Sequence, residues 1–359
     1  MNNAVFYDIH KSYEENFEQL PKNLEKLKNP NFQIAKPLDN FLGFPINIPF
    51  GIPAGPLLNS KYIKKSFELG FAVSTYKTVR SASFPCHPYP NILFVKTSKN
   101  FKTEKNPKAI GSNFNAHYPN ITITNSFGVP SKNTKFWQED VKKALKYESE
   151  GNLLILSFMG TVKKGQTQQE LIDDFAKTAK LALETGAKVL EVNLSCPNIG
   201  NEGLVCYNLE VSEKVCCAIR SAIFETPLII KIGYYKNNKD IEKIAEIANK
   251  YANAVASINT IQAEILDKNG NQALPGLNRL RSGVCGSAIK WAGLEMVSKL
   301  DKIKKKNDYK YEIIGIGGVM TETDYFDYKK SGANLVQSAT GAMWNPYLAY
   351  EIYKEEHEI

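Results

Sequence analysis

A short polar loop at residues 193–198 holds the residue types with the clearest chemical potential. It reads Asn193-Leu194-Ser195-Cys196-Pro197-Asn198 and follows an apolar run. A thiol has an ordinary pKa of about 8.5, near enough to neutral for it to accept a proton once its surroundings tune it. Many lone cysteines are simply small buried hydrophobic residues, and Cys216 and Cys217, inside a helical pattern, fit that alternative. Cys196 lies between asparagines in a polar loop, which favours a catalytic base.

Asparagine side chains recur where other apolar runs end. Asn125, Asn193, Asn198 and Asn259 can each donate and accept hydrogen bonds without adding charge, which suits a planar ligand with amide or carboxylate edges. A single asparagine at such a position is commonly a turn or cap residue. Four of them at corresponding positions favour ligand binding.

Two lysines, Lys77 and Lys231, end apolar runs and should point into a crowded rim. One alternative is that their stems lie along apolar surface while the charges reach solvent. The other is that the pair stabilises negative charge on a bound ligand, such as a flavin that becomes anionic on reduction.

Glycine-rich turns follow the last two apolar runs of the chain. Gly317-Gly318 and Ala339-Thr340-Gly341 expose backbone N–H groups that can approach a phosphate closely. Each turn alone is also compatible with an ordinary tight connection. Their occurrence after two consecutive runs favours a phosphate site.

These residues need a scaffold that brings strand ends together, and the sequence predicts one. Eight continuous apolar runs alternate with helical patterns, which is typical of strands buried on both faces of a parallel sheet. The predicted strands are Asn47–Pro53, Phe71–Tyr76, Leu153–Phe158, Lys188–Asn193, Leu228–Ile232, Ala254–Ile258, Glu312–Ile316 and Asn334–Ser338. The predicted helices are Asn59–Leu69, Gln168–Glu184, Leu209–Phe224, Asp240–Tyr251, Ala288–Leu300, Glu322–Ser331 and Pro346–Lys354. We therefore expect an α/β protein with a (β/α)8 TIM barrel whose active site lies at the carboxyl ends of the strands.

Three segments depart from this rhythm. Residues 1–44 are polar and are expected to form an N-terminal extension packed on the barrel, with one or two short helices over 12–27; residues 45–359 form the barrel. Residues 78–132 and 262–285 are too long for simple connections. Loops of such length in a compact domain usually form lids or binding walls, so we expect them at the catalytic rim.

Composition excludes several classes of function. The net charge of +8 is spread along the chain rather than clustered, which does not favour nucleic-acid binding. The six cysteines show no CxxC spacing and only four histidines are present, so no metal site is predicted. There is no long apolar run, so no membrane span is expected. Reduced cysteines fit a cytoplasmic protein.

At these residues the sequence resembles the soluble, FMN-dependent class 1 dihydroorotate dehydrogenase family, over roughly residues 47–350. The most specific element is the 193–198 loop, because class 1 members have Cys as the base where the quinone-using class 2 members have Ser. Asn125-Ser126-Phe127-Gly128 resembles the family's substrate loop. Tyr76-Lys77-Thr78, Ile230-Lys231, Asn259-Thr260 and Gly315-Ile316-Gly317-Gly318 follow in the family's order.

The resemblance implies a mechanism and a set of site residues. Cys196 would remove the C5 proton of dihydroorotate while hydride passes from C6 to N5 of FMN, which gives orotate. The residues implied for substrate binding are Lys77, Asn125, Ser126, Phe127, Gly128, Asn193, Asn198, Asn259 and Thr260. Those implied for FMN are Ala54, Gly55, Lys77, Ser157, Asn193, Lys231, Gly286, Gly317, Gly318, Ala339 and Thr340.

The chain also departs from the family pattern. Thr260 replaces the usual Ser, Ala339 replaces the usual Gly, the 78–132 segment is longer than in compact members, and the N-terminal extension is unusual for class 1. We expect a homodimer that uses fumarate as electron acceptor in pyrimidine biosynthesis. A class 1B enzyme with an iron–sulfur and FAD partner subunit is an alternative. So are a related FMN enzyme for another dihydropyrimidine or enone, and a catalytically silent binding subunit.

Overall fold

The computed structural model describes residues 4–30, 37, 39–97, 100–102, 107–112, 117–163, 165–195 and 205–357. Within them, the strands are β1 Asp39–Phe41, β2 Phe44–Ile46, β3 Phe50–Ile52, β4 Val73–Val79, β5 Ile92–Lys96, β6 Lys108–Ser112, β7 Thr122–Asn125, β8 Leu153–Phe158, β9 Val189–Asn193, β10 Leu228–Ile232, β11 Ala254–Ser257, β12 Ile261–Leu266, β13 Arg281–Gly286, β14 Glu312–Ile316 and β15 Leu335–Gln337. The α-helices are α1 Tyr13–Glu18, α2 Lys22–Glu25, α3 Ser60–Glu68, α4 Thr134–Leu145, α5 Gln168–Leu183, α6 Leu209–Ile223, α7 Asn238–Tyr251, α8 Lys290–Asn307, α9 Glu322–Lys330, α10 Thr340–Trp344 and α11 Leu348–Glu356.

Eight parallel strands close into the predicted (β/α)8 barrel. Their order around the barrel is β3-β4-β8-β9-β10-β11-β14-β15, and β15 pairs with β3 to complete the ring. Because helices cover the outside and side chains fill the inside, the strands are buried along nearly their whole length, as in the Leu153–Phe158 run of β8. All eight predicted strands are confirmed.

The seven predicted helices are confirmed, but the helix that follows the second barrel strand escaped prediction. This helix, α4, buries Trp137, Val141 and Ala144 on one face, and the Asn133 side chain caps its first turn by accepting from the Phe136 N–H. Its apolar stripe was readable. The sequence does not set it off clearly, because the helix begins directly after a 55-residue segment without a clear period.

The two long excursions are not irregular loops. Residues 78–132 contribute β5, β6 and β7, residues 262–285 contribute most of β12 and β13, and the five strands close into a second, smaller barrel. Most of its pairings are antiparallel, but β6 and β12 run parallel. The prediction of loops was therefore wrong for the strands in these segments. The alternating burial of β12 is the period-two signal that marks it as a strand.

The small barrel lies on the carboxyl-terminal rim of the large barrel, because its strand β12 follows the large-barrel strand β11. Another strand of the small barrel, β7, carries Asn125, which was predicted for the site at this rim. Residues 4–30 also lie against the large barrel, and their Phe6 and Leu24 side chains are fully buried. No helix in the described ranges is both long enough and apolar enough to span a membrane.

Candidate functional site

A cavity lies where the rim of the large barrel meets the small barrel. It encloses about 1240 Å³ of space outside the protein atoms, its open mouth included. Barrel-strand ends supply Lys77, Asn193 and Lys231, while the small barrel supplies Asn125 and Cys285. This is the position at which (β/α)8 barrels bind their ligands.

Most of the predicted site residues line this one cavity although they come from distant parts of the chain. These are Ala54, Gly55, Lys77, Asn125, Phe127, Asn193, Lys231, Asn259, Thr260, Gly286, Gly317, Gly318, Ala339 and Thr340. The structure thus brings together the amide, lysine and glycine groups that the sequence singled out separately.

Five predicted residues are not among the lining groups. Cys196 and Asn198 lie outside the described residues. Ser126 and Ser157 are fully buried, and their hydroxyls bond within the protein: Ser126 Oγ accepts from Arg279 Nε at 3.2 Å and Ser157 Oγ lies 3.0 Å from Thr78 Oγ1. The prediction that these two side chains contact the ligand is therefore corrected. Their hydroxyls support the cavity wall from behind.

Gly128 lies between two lining residues without lining the cavity itself. Its carbonyl accepts from Arg80 at 3.1 Å, and a Cβ placed on it would come within 2.5 Å of His87 Nε2. Its φ of +75° lies in the left-handed region, which favours glycine, and the close approach of His87 leaves no room for a side chain.

The amide groups of Asn193 and Asn259 organise the start of the 193–198 loop. Asn193 Oδ1 accepts from the Ser195 N–H at 3.1 Å, and Asn259 Nδ2 donates to the Ser195 carbonyl at 2.7 Å. Both asparagines therefore hold the residue that precedes Cys196 while they face the cavity. Asn125 Nδ2, from the opposite wall, donates to Cys285 Sγ at 3.3 Å.

Cys285 is the cysteine that the structure places in the cavity wall. Burial raises the pKa of its thiol, so it stays protonated near neutral pH and is a poor proton acceptor. It therefore does not replace Cys196 as the candidate base.

Both lysines are buried, so the alternative in which their charges reach solvent is wrong. Lys77 is 7% exposed and donates to the carbonyls of Thr78 and Pro130, whereas Lys231 is 3% exposed. No described side chain or carbonyl pairs with the Lys231 ammonium group. Because buried cations need a partner, Lys231 fits a ligand that becomes negatively charged.

Backbone N–H groups gather at the turns after β14 and β15. The N–H groups of Gly318, Val319, Ala339 and Thr340 donate to no acceptor in the described part of the chain. A Cβ on Gly318 would stand 2.7 Å from the backbone nitrogen of Lys290, so the turn stays close to α8 only as glycine. Unpaired donors in a tight turn fit a phosphate, which agrees with the ribityl phosphate of FMN.

Several lining residues were missed at the sequence level. Gln337 ends β15, donates to Thr75 Oγ1 at 3.1 Å and leaves its Oε1 without a partner among the described groups. A polar residue at the end of a buried strand was a readable signal, as it was for Lys231. Tyr7 and Tyr13 also line the cavity. Nothing in the N-terminal pattern connects them to the rim.

No cluster of three or more metal-binding side chains occurs among the described residues. The donor set of the cavity, with amides, hydroxyls, two lysines and unpaired backbone N–H groups, is instead that of an organic ligand with a phosphate.

Comparison with known proteins agrees with this donor set. The family model described as dihydroorotate dehydrogenase matches residues 39–359. A dihydroorotate dehydrogenase of Dictyostelium discoideum is 35% identical over 360 residues, which cover 97% of this chain and 96% of the relative. The catalytic subunit of a dihydroorotate dehydrogenase B (NAD(+)) from Methanocaldococcus jannaschii is 28% identical over 69% of this chain and 77% of the relative. The chain therefore belongs to the dihydroorotate dehydrogenase family.

Proposed function

We propose that this chain oxidises (S)-dihydroorotate to orotate in the synthesis of pyrimidine nucleotides, with FMN as its cofactor. The observation that carries the proposal is the division of one cavity into two donor sets. Asn125, Asn193 and Asn259 offer neutral amides to a planar pyrimidine, while the turns at Gly317-Gly318 and Ala339-Thr340 offer unpaired N–H groups to a phosphate.

The roles of the chain's own residues follow from their chemistry. Cys196 removes the proton from C5, and the bonds from Asn193 and Asn259 to Ser195 fix the start of its loop. Lys77 attracts the substrate carboxylate, and Lys231 stabilises negative charge on the isoalloxazine ring. The turns at Gly317-Gly318 and Ala339-Thr340 would hold FMN by its phosphate, and the bound cofactor would supply the hydride acceptor. The substrate would thus lose one proton from C5 and one hydride from C6 as the ring double bond forms.

For the electron acceptor we propose fumarate, with the chain acting as a cytoplasmic homodimer. The Dictyostelium relative, whose match spans 97% of the chain, is named without NAD or a partner subunit. The relatives named as NAD-dependent catalytic subunits match smaller parts, 69% and 64% of this chain in two cases. An iron–sulfur and FAD partner subunit is the alternative arrangement, and another dihydropyrimidine or enone is the alternative substrate.

The test is an anaerobic titration of the flavin-loaded protein with dihydroorotate, followed by flavin absorbance. We expect stoichiometric bleaching of the oxidised flavin band. Addition of fumarate should then restore the band, whereas NAD and a soluble quinone should not. A flavin that stays oxidised with dihydroorotate contradicts the proposed substrate, and recovery only with NAD contradicts the proposed acceptor.

The same titration tests the base. Cys196→Ala should retain FMN but reduce it about 10²–10⁴-fold more slowly, which is the usual contribution of a positioned acid or base. Cys217→Ala is the matched control, because Cys217 is exposed on α6. Reduction of Cys196→Ala at the rate of this control would show that another group takes the proton.

A further inference from the structure

The N-terminal segment, residues 4–30, is fastened to the large barrel beside the cavity. The Val5 N–H donates to the carbonyl of Met343 in α10 at 2.5 Å, and Met343 itself lines the cavity. Asn59, the N-cap of α3, donates from Nδ2 to the Phe17 carbonyl at 2.7 Å, and the hydroxyl of Tyr62 in α3 donates to the Asn16 carbonyl at 2.6 Å. The segment is thus a fixed wall of the site.

A reciprocal bond closes the part of the segment that reaches the cavity. The Asp8 N–H donates to Asn16 Oδ1 at 2.8 Å, and Asn16 Nδ2 donates back to the Asp8 carbonyl at 2.9 Å. Asn16 is 1% exposed, so this clasp is buried. It fixes Tyr7, which directly precedes Asp8, and Tyr13, which lies three residues before Asn16.

The hydroxyl groups of Tyr7 and Tyr13 are buried donors without a partner in the described structure. The two side chains are only 3% and 4% exposed, and both line the cavity. A buried hydroxyl without a hydrogen bond destabilises the folded state, so proteins rarely retain one unless something else satisfies it. Two such groups on one wall indicate a ligand that accepts hydrogen bonds.

The surroundings of the two rings indicate what kind of acceptor fits. The Tyr7 and Tyr13 rings lie 5.4 and 6.2 Å from the ring of Phe127, which follows Asn125 and Ser126. Lys77 Nζ lies 5.7 Å from the centre of the Tyr13 ring. Burial raises the pKa of both phenols, so they remain neutral O–H donors. A cation and two O–H donors in the lining of one cavity are a donor set for a carboxylate.

We propose that Tyr7 and Tyr13 donate hydrogen bonds to the carboxylate of the substrate, next to Lys77, and so make the N-terminal segment part of the substrate site. This inference rests on the proposed function, since dihydroorotate and orotate carry that carboxylate. The segment would then bind substrate in addition to covering the barrel.

The experiment is calorimetric titration of orotate into the oxidised, flavin-loaded protein. For the double variant Tyr7→Phe/Tyr13→Phe we expect the Kd for orotate to rise at least about tenfold, because hydrogen bonds to charged groups are stronger than neutral ones. Uracil, which has the same ring without the carboxylate, should bind the variant and the wild type equally. An unchanged Kd for orotate overturns the proposal, and so does equal weakening for uracil.

Tyr62→Phe is the structural control, since it removes a hydroxyl that ties the same segment but bonds to Asn16 instead of facing the cavity. It should lower the melting temperature and leave the Kd for orotate unchanged. If it weakens orotate binding as much as the double variant does, the effect arises from packing and the proposal fails. Weakening confined to fumarate would assign the hydroxyls to an acceptor instead of the substrate and also overturn it.

Failure of the proposed function is distinguishable from failure of this inference. A wild-type protein that binds orotate but is not reduced by dihydroorotate contradicts the function alone. A wild-type protein that is reduced by dihydroorotate, with a double variant of unchanged affinity, contradicts the inference alone. A wild-type protein that binds no orotate contradicts both.

Discussion

Lys231 is a buried cation in the wall of the cavity. Its ammonium group is buried at the end of β10, and no described group pairs with it. An isolated buried charge is costly, so a protein retains it only where a ligand repays the cost. In the proposed enzyme that ligand is the reduced flavin.

Replacement of Lys231 distinguishes its effect on the stability of the fold from its effect on the reduction potential of the cofactor. Lys231→Met keeps the length of the side chain and removes the charge. The flavin-free variant should melt at a higher temperature than the flavin-free wild type, because a buried unpaired charge is lost. The flavin-loaded variant should have a more negative reduction potential, because the anionic reduced form loses its cation.

Lys142→Met, on an exposed face of α4, controls for the general loss of one positive charge. Differential scanning fluorimetry and a reductive dye titration give the two readouts. An unchanged reduction potential in Lys231→Met would show that the cation does not lie near the flavin ring.

Single residues also show where sequence reasoning succeeded and where it could not. Lys77 and Lys231 were predictable because a charge at the end of a buried strand conflicts with its surroundings, and the conflict is visible in one dimension. Tyr7 and Tyr13 were not, since a tyrosine in a polar N-terminal segment is compatible with any position. Only the fold shows that their hydroxyls are buried without partners.

At the scale of elements, the loop that follows β7 is held by side chains from several other parts of the chain. Arg80 donates to the carbonyls of Gly128 and Val129, and Arg279 donates to the carbonyl of Ser126 at 2.9 Å. His87 Nδ1 lies 3.3 Å from Ser126 Oγ, and the His87 N–H donates to the Phe127 carbonyl at 3.0 Å. Two cations and a histidine thus hold the backbone beside the proposed carboxylate site.

This arrangement predicts acid sensitivity. Burial, and then the charges of Arg279 and Arg80, lower the pKa of His87 below its ordinary 6.5. The folded state therefore binds the proton less tightly than the unfolded state does. Stability from this group is fully present above pH 6.5 and is lost progressively as the pH falls from 6.5 toward the folded-state value. Melting temperatures measured between pH 7.5 and about 5 should decline accordingly.

His87→Asn should flatten that decline, because the asparagine carbonyl can accept from Ser126 without taking a proton. His10→Asn, at an exposed position, should leave the decline as in the wild type. Equal pH profiles for the wild type and His87→Asn would show that the acid sensitivity comes from other groups.

At the level of elements, the eight barrel strands were predictable because burial on both faces leaves continuous apolar runs. The small barrel was not recognised. Its strands are short and lie between Pro-rich or charged stretches, and three of them come from one segment and two from another. Pairing between segments more than 130 residues apart leaves no local pattern to read.

For the whole molecule, the N-terminal segment is as much part of the hydrophobic core as any helix of the barrel. Phe6, Tyr7, Tyr13, Phe17 and Leu24 are all buried. A match of 97% of the chain to the Dictyostelium relative is too long to leave this segment out. The hydrophobic core therefore runs across the boundary that the sequence predicts near residue 44.

Deletion of residues 1–30 should accordingly destabilise the entire protein. Each large apolar side chain contributes about 1.5–3 kcal/mol when buried, and the deletion also exposes the barrel surface that these side chains cover. We expect the melting temperature to fall by about 10 °C or more, on the scale of about 2–4 °C per kcal/mol for larger domains. Differential scanning calorimetry measures the effect. A truncated protein that melts with the full-length chain would make the segment an independent appendage.

The small barrel is built from two segments of the chain that depend on each other. Residues 78–132 alone would form a three-stranded sheet, β6-β5-β7, with both edges open; β12 and β13 close it by pairing with β6 and β7. Arg279, from residues 262–285, also donates to the carbonyls of Pro88 and Pro90 in the first segment. Exposed edges invite aggregation, so each segment depends on the other for a closed sheet. The two segments therefore form one structural unit, although four of the eight strands of the large barrel lie between them in the sequence.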